Sequence, residues 1–263
     1  MAGMQIATWN VNSIKAHLDG ALAWLKEANP DVVCLQEIKC EDHGFPAAAF
    51  EDLGYNVVVH GQKAYNGVAI LSKSRPEDIR RGLPGDDGDT QARYLEALIP
   101  DGPAMVRVGC IYLPNGNPPD SGKYAYKLGW MDRLKAHAGA LLALEERLVL
   151  TGDFNVIPAA VDARFPENWA GDALFLPQTR ARFQELVNLG FTDALRSLAG
   201  SAGGIYTFWD YQAGAWQKNN GIRIDHHLLS PQAADSLRGV RIDSHVRGWE
   251  KPSDHVPVII DLQ

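Results

Sequence analysis

The chain has 263 residues, of which 46% are hydrophobic, and a formal net charge of −7. A chain of this length buries enough surface to fold without a disulfide or a structural metal, and its three cysteines are an odd count without zinc-site spacing. It has no signal pattern and no apolar run near the roughly 18 residues of a membrane span, so we expect a cytoplasmic protein without membrane contact.

Short apolar runs separated by loop signals predict ten strands and three helices. In chain order the strands are 4–10, 31–37, 55–60, 67–72, 93–99, 104–113, 146–153, 224–230, 239–246 and 256–262. Apolar residues at helical spacing from Ile14 to Leu25 predict a helix that Asn29-Pro30 ends, and further helices are predicted over 122–145 and 180–189. Pro257 indicates that the last strand is an edge strand or begins there.

The ratio of strands to helices favours two β-sheets packed face to face with helices outside. A purely parallel sheet would need a crossover helix after nearly every strand, and the connections are too short for that. No Pro/Gly/Ser-rich linker divides the sequence, so we predict one α/β domain over residues 1–263.

Polar side chains interrupt the apolar runs at or near their ends. They are Asn10, Glu37, Asp153, Asn155, Asp225, Asp254 and His255. Taken singly, each has an ordinary explanation as a turn former, a helix cap or a solvated loop residue. Asp153 and Asn155 are two residues apart and would point the same way in an extended chain, whereas Asp254 and His255 would diverge.

Taken together, these residues predict metal-assisted phosphodiester hydrolysis. Carboxylate and amide oxygens suit Mg²⁺ or Mn²⁺, an aspartate with a histidine supplies an acid–base or electrostatic pair, and Tyr112 can donate to a phosphate oxygen. The neighbouring His226 and His227 alternate across a strand and are interpreted as structural. The acidic net charge counts mildly against nucleic acid but allows a local basic face.

The order of the motifs resembles the exonuclease III family of DNA-repair nucleases. The matching segments are "ATWNVNSIKA", "PDVVCLQEIK", "YNGVAILSK", "TGDFNVIP", "GIRIDHHLLS" and "KPSDHVPV", and they extend from residue 5 to about residue 262. The family belongs to the endonuclease/exonuclease/phosphatase superfamily, so the resemblance implies a four-layered α/β sandwich of two packed mixed β-sheets flanked by helices.

The resemblance also implies a role for each residue at the strand ends. Glu37 would be the principal Mg²⁺ ligand with Asn10 beside it, and Asp254 would lie near the metal or at an alternative metal position. Asp153 would position or deprotonate the attacking water, and Asp225 would orient His255. The scissile phosphate would be held by Asn155, Tyr112 and His255; Asp153, Asn155 and His255 are also candidate metal ligands.

For the substrate, the resemblance implies an apolar pocket for a flipped-out abasic sugar. Its walls would be Phe208, Trp209, Ile222 and Ile224, although core packing also explains the "YTFWDY" segment. Backbone contacts to DNA are expected from Arg93 and Asn115, and from Lys39, Lys63, Arg80 and Arg81 in loops; a solvated surface is the alternative for the charged residues. Asn12 stands where some relatives carry aspartate.

The implied activity is that of a Mg²⁺-dependent DNA-repair enzyme, with Mn²⁺ as a substitute, that acts as a monomer. It would cleave double-stranded DNA 5′ to abasic sites and degrade duplex DNA from its 3′ ends. Two alternatives remain open from the sequence: a phosphatase or phosphodiesterase of the same fold that acts on a small or lipid phosphate, and a DNA-binding module that has lost its chemistry.

Overall fold

Two six-stranded mixed β-sheets face each other in the computed structural model, which describes residues 3–263. The strands, in chain order, are β1 Met4–Asn10, β2 Val32–Gln36, β3 Asn56–His60, β4 Val68–Ser72, β5 Glu77–Arg81, β6 Tyr94–Asp101, β7 Ala104–Tyr112, β8 Leu148–Asp153, β9 Thr192–Asp193, β10 Asp225–Leu229, β11 Leu237–Ile242 and β12 Val258–Leu262. One sheet has the order β11-β12-β1-β2-β4-β3, and the other has the order β5-β6-β7-β8-β10-β9. The inner faces of both sheets share one apolar core, in which Ile6 and Ile70 of the first sheet lie with Val108 and Val149 of the second.

Helices cover the outer faces of the sheets and complete four layers. They are α1 Leu18–Ala28, α2 Ala47–Glu51, α3 Gly122–Leu142, α4 Pro177–Val187, α5 Ala194–Ala199 and α6 Pro231–Ala234. Trp24 of α1 packs beneath the first sheet, and Trp130 of α3 packs with Phe183 of α4 beneath the second. The predicted sandwich is therefore confirmed. Among residues 3–263, no helix has the length and apolar character needed to cross a membrane.

The strand pairing brings the ends of the central strands together. β1 and β2 are parallel and end at paired Asn10 and Gln36, and β7 and β8 are parallel and end at paired Tyr112 and Asp153. Antiparallel β10 begins with Asp225 opposite Asp153. The polar residues at the ends of both sheets consequently meet at one end of the sandwich.

All ten predicted strands are present, with shifts of a few residues at their ends. The predicted strand 239–246 runs from Leu237 to Ile242 and is followed by a 3₁₀ turn, and β12 begins directly after Pro257, because that residue cannot donate a ladder hydrogen bond. The predicted helix start at Ile14 is wrong: α1 begins at Leu18 after an irregular turn. The expectation that Arg80 and Arg81 lie in loops is also wrong, because both belong to the edge strand β5.

Candidate active site

A cavity of about 360 Å³ opens at the end of the sandwich where the strand ends meet. Both sheets contribute to it. Its polar lining includes Glu37, Tyr112, Asp153, Asn155, Asp254 and His255. The structure thus brings together residues that are separated by more than 200 positions in the sequence.

Asn10 connects the two sheets at the floor of this site. Its side-chain Nδ2 donates to Oε1 of Glu37 at 2.8 Å and to Oδ2 of Asp153 at 2.9 Å. Its own Oδ1 accepts a hydrogen bond from the backbone N–H of Asn12 at 3.0 Å. Asn10 therefore holds a carboxylate of each sheet in place, and its oxygen already has a partner.

Asp153 and Asn155 come together through a tight turn and not through an extended strand. β8 ends at Asp153, whose Oδ1 accepts the backbone N–H of Asn155 at 2.9 Å, and Asn155 has a left-handed φ of 46°. Asn155 then donates from Nδ2 to the carbonyl of Leu113 at 2.9 Å and accepts from Nδ2 of Asn115 at 3.1 Å. The expectation that the two residues share a side of an extended strand is wrong, although both reach the cavity.

His255 is held between two aspartates. Its Nδ1 lies 2.9 Å from Oδ2 of Asp225, and its Nε2 lies 3.8 Å from Oδ2 of Asp153. Burial lowers the pKa of His255, but the Asp225 and Asp153 carboxylates outweigh burial and raise it to about 10. The ring is therefore an imidazolium at neutral pH. Asp254 also lines the cavity, but its Oδ1 accepts a hydrogen bond from Asn12 at 3.2 Å, so the two neighbours have different partners.

The carboxylates of the site differ in their tendency to hold a proton. Burial raises the pKa of Asp153 to about 7, with His255 acting in the opposite direction and Asp225 adding to the rise. Burial opposes ionisation of Glu37 too, but the Asn10 amide and the Lys39 ammonium hold the pKa of Glu37 below its ordinary value. Glu37 is thus the ionised acid, and Asp153 is poised to accept a proton near neutral pH.

Tyr112 enters the cavity as a neutral hydroxyl. Burial, together with the Glu37 and Asp153 carboxylates, raises its pKa well above the ordinary value. The Arg93 guanidinium lies 4.8 Å from the centre of the Tyr112 ring. Tyr112 therefore offers an O–H donor to a bound anion.

The chemistry of the donor set fits a hard divalent cation. Glu37 supplies an ionised oxygen, and Asp153 and Asp254 line the same cavity. The Lys39 ammonium already lies 2.9 Å from Oε2 of Glu37, so this carboxylate attracts a positive charge. A second acidic group, Asp153, Asp225 and His255, has its potential ligand atoms within 4.8 Å of one another.

Two of the four residues predicted to form an apolar wall line the cavity, and the other two, Trp209 and Ile222, do not. Phe208 and Ile224 line the cavity, and the Phe208 ring lies 4.9 Å from the ring of His255. Trp209 is buried in the core beneath the first sheet, and its Nε1 donates to Asn219 at 3.1 Å. Ile222 packs behind the wall with Ile224 and is not part of the cavity lining that the structure describes.

Several residues of this region were not predicted from the sequence; besides Trp169 and Lys127, they include Asn117, Asp172, Leu174 and Asp210 of the cavity lining. Trp169 lies at the end of a 3₁₀ turn and lines the cavity, and Lys127 of α3 lies fully buried beneath the loops that carry the site. The buried face of α3 includes Tyr124 and Trp130, three residues to either side of Lys127, so helical spacing could have placed this lysine on the inner face. No local pattern marks Trp169.

A second cavity, of about 530 Å³, adjoins the first. Asn115 and Asn117 line both cavities, and Arg93 and Lys123 add positive charge to the second one. Lys63 is exposed, and Lys39 is engaged with Glu37. Of the residues predicted to contact DNA, Arg93 and Asn115 line the second cavity, Asn115 also lines the first, and Lys39 pairs with Glu37, which lines the first.

The fold and the site define a hydrolase of phosphate esters. Residues 7–255 match the Endonuclease/Exonuclease/phosphatase family, and the chain belongs to that family. Within it, the resemblance to the exonuclease III family of DNA-repair nucleases is confirmed, and this family is metal-dependent.

Two relatives match the chain over most of their length. Exodeoxyribonuclease III of Haemophilus influenzae is 34% identical, with 97% of this chain and 98% of the relative covered. The DNA repair nuclease APEX1 of Danio rerio is 32% identical, with 99% of this chain and 83% of the relative covered.

Solved structures of DNA-processing enzymes are also similar to this chain in both sequence and fold. The 3′ phosphatase NExo from Neisseria, bound to a product DNA hairpin, is 40% identical and superposes with a TM-score of 0.93, with 99% of both chains covered. An AP endonuclease from Archaeoglobus fulgidus is 38% identical and superposes with a TM-score of 0.92, again with 99% of both chains covered. The predicted enzyme class is confirmed, and the non-catalytic alternative is set aside.

Proposed function

We propose that this chain is a Mg²⁺-dependent DNA-repair phosphodiesterase that cleaves duplex DNA 5′ to abasic sites and removes nucleotides from 3′ ends. Mn²⁺ would substitute for Mg²⁺. The observation that carries the proposal is the meeting, in one cavity, of Glu37, Asp153, Asn155 and the Asp225–His255 pair. Each has the chemistry that one step of phosphodiester hydrolysis requires.

Glu37 would hold the divalent cation, with Asn10 fixing the orientation of the carboxylate. The bound cation would supply Lewis-acid stabilisation of the negative charge on the phosphate. Because both N–H groups of Asn10 Nδ2 are engaged with Glu37 and Asp153, we assign Asn10 first to positioning these two carboxylates; its oxygen accepts one hydrogen bond and keeps a second lone pair for the cation or a water bound to it. His255 is assigned to the phosphate, because Asp225 lies 2.9 Å from its Nδ1 and favours the imidazolium form.

Asp153 would accept the proton of the attacking water. A general base works best when its pKa lies near the working pH, and burial raises the pKa of Asp153 to about 7. The water oxygen bonds to phosphorus as the bond from phosphorus to the 3′ oxygen breaks, and the leaving 3′ oxygen takes a proton from solvent water. The products are a free 3′-hydroxyl and a 5′-phosphate on the abasic side.

Three donors would hold the phosphate while its charge develops. His255 carries a positive charge and is oriented by Asp225, and Tyr112 offers a neutral hydroxyl. The Nδ2 of Asn155 bonds the Leu113 carbonyl at 2.9 Å and Oδ2 of Asp153 at 3.3 Å, and it would exchange the longer of these contacts for the phosphate. Tyr112 ends β7, Asn155 lies in the turn after β8, and His255 lies just before β12 and is held by Asp225, so the three need little reorganisation during the reaction.

The apolar wall would admit a sugar that lacks its base. Phe208, Ile224, Trp169 and Leu174 line one side of a cavity of about 360 Å³. A flipped abasic sugar offers an apolar ring face and no base, so a narrow apolar wall accepts it and excludes a full nucleotide. Arg93 and Lys123 in the adjoining cavity would contact the phosphates of the same strand.

The remaining expectations form part of the proposal. The enzyme would act on its lesion as one domain and as a monomer, which size-exclusion chromatography with light scattering tests. Cys34, Cys40 and Cys110 are free thiols in the described structure, which supports a reducing compartment such as the cytoplasm. The phosphatase alternative for small or lipid phosphates is not favoured, because full-length relatives are named as DNA nucleases.

A duplex with one stable abasic analogue and a 5′ label tests the activity. We expect a single cut 5′ to the analogue in Mg²⁺ and none in EDTA, read on a denaturing gel. A slow 3′ ladder without that cut would restrict the activity to 3′ ends. An intact strand, together with rapid hydrolysis of a soluble phosphate ester, would overturn the proposal in favour of the phosphatase alternative.

A further inference from the structure

Lys127 is a fully buried lysine whose hydrogen-bond partners are backbone carbonyls. It lies on the inner face of α3 and is 0% exposed. Its Nζ donates to the carbonyl oxygen of Asn115 at 3.0 Å and to that of Asn155 at 2.6 Å. Burying an amino group costs free energy unless hydrogen-bond acceptors compensate for the lost water. A role in packing alone therefore does not explain why this position is a lysine.

The two carbonyls belong to separate segments that both reach the catalytic cavity. Asn115 lies in the loop after β7, and Asn155 lies in the turn after β8. Their side chains are also joined, because Nδ2 of Asn115 donates to Oδ1 of Asn155 at 3.1 Å. Lys127 thus links the backbones of Asn115 and Asn155 through its amino group, and the side chains of the same two residues are hydrogen-bonded to each other.

The loop after β7 also fits closely around the stem of this lysine. Gly116 has a left-handed φ of 88°, and a Cβ atom built there would lie only 2.7 Å from Cδ of Lys127. A glycine is therefore needed for the loop to pass over the aliphatic chain. The position of Asn115 depends on this packing as well as on the hydrogen bond from Nζ.

A purely structural role accounts less well for these contacts. α3 is already anchored by the buried side chains of Trp130, Met131 and Leu134. A methionine would fill the place of the lysine stem without burying an amino group. The specific feature of Lys127 is its donation to two catalytic loops.

We propose that Lys127 is a positioning residue that sets the spacing of Asn115 and Asn155 at the scissile phosphate. The inference rests on the proposed nuclease function. Two N–H donors are required, and both the ammonium and the neutral amine carry them, so the role is independent of the charge on Lys127. Lys127 is fully buried and would not touch the DNA itself, so we expect the effect to fall on the chemical step.

The test compares Lys127→Met with Lys127→Arg on the abasic duplex. We expect Lys127→Met to lower the single-turnover cleavage rate about 100-fold, because a displaced phosphate-binding group costs about that much. The dissociation constant for the duplex, measured in EDTA, should change by less than about threefold. Lys127→Arg keeps two donors and should recover most of the rate. Lys135→Met is the matched control, because Lys135 lies on the same helix, partly exposed, and pairs with Glu185 at 2.6 Å.

Gly116→Ala provides a second variant that keeps the lysine. It should displace the loop after β7 and lower the rate without changing the net charge. A folded Lys127→Met enzyme with a rate within about threefold of wild type would overturn the inference. If Lys127→Met fails to fold, a wild-type rate in Gly116→Ala would do the same. A wild-type enzyme that leaves the duplex intact would overturn the proposed function itself, and this inference with it.

Discussion

The Nδ1 atom of His255 lies 2.9 Å from Oδ2 of Asp225, and both side chains are buried. The aspartate begins β10 in one sheet, and the histidine precedes β12 in the other. The pair therefore crosses the space between the sheets, and the fold itself determines which atoms of the imidazole face the cavity. Nε2 is the nitrogen left free for a substrate phosphate.

Asp225→Asn should lower kcat while leaving KM for the abasic duplex nearly unchanged. The asparagine can hold the ring but cannot favour its positive charge, so His255 loses strength as a phosphate donor. A loss of about 100-fold or more is expected for one donor in such a site. Steady-state kinetics on the labelled duplex measures both parameters.

Asp235→Asn is the control for that substitution, because Asp235 is exposed and does not line the cavity. It should keep kcat close to that of wild type. An Asp225→Asn enzyme with unchanged kcat would contradict the role given to the pair.

Lys39→Met should lower the Mg²⁺ concentration that gives half-maximal activity. The Lys39 ammonium lies 2.9 Å from Oε2 of Glu37 and competes with a divalent cation for that oxygen. Both side chains are partly exposed, so the gain should be modest, about two- to fivefold. Initial rates over a range of Mg²⁺ concentrations at constant ionic strength give this value.

Glu37→Gln should act in the opposite direction, because it removes the ionised oxygen. We expect the half-maximal Mg²⁺ concentration to rise about tenfold or more, with part of the activity restored at high Mg²⁺. Equal metal dependence in wild type and Glu37→Gln would exclude Glu37 as a metal ligand.

The fold was largely predictable because most strands have a buried face with a clear apolar pattern. β5 was missed because its five residues, from Glu77 to Arg81, are all exposed at the edge of a sheet. A strand without a buried face has no periodicity to detect. Short helices such as α5 and α6 escaped notice for a related reason, since they have too few turns to show a repeat.

The candidate site was predictable at its strand ends and less so in its surroundings. Asp153 and Glu37 end or follow apolar runs, which sequence shows directly. The pairing of Asp225 with His255 came from the family resemblance, because their separation of 30 residues leaves no local signal. Trp169 reaches the cavity through an irregular loop, and such loops follow tertiary packing and not local propensity.

Trp169→Ala should weaken discrimination between an abasic site and an intact nucleotide. The indole narrows the cavity on the side of Phe208 and Leu174, and its removal leaves room for a base. The ratio of kcat/KM for the abasic duplex to kcat/KM for an undamaged duplex should fall about tenfold. Parallel assays on matched duplexes measure the ratio.

Phe165→Ala is the matched control for Trp169→Ala, because Phe165 precedes the same 3₁₀ turn but is 41% exposed. Its removal should leave the ratio unchanged. If Trp169→Ala also leaves the ratio unchanged, substrate choice is determined elsewhere in the site.

His227→Gln should make the fold less sensitive to acid. His227 is buried in β10, with Nε2 3.0 Å from the carbonyl of Val258, and burial lowers its pKa from 6.5 to about 4. Between pH 6.5 and 4, His227 binds a proton in the unfolded chain but stays neutral in the folded chain. The free energy of unfolding therefore falls as the pH decreases through this range, by about 3 kcal/mol from His227. Urea unfolding across this range should show a correspondingly smaller loss in His227→Gln. Replacing the exposed His43 by glutamine should keep the wild-type loss; an equal loss in His227→Gln would show that this imidazole does not limit acid stability.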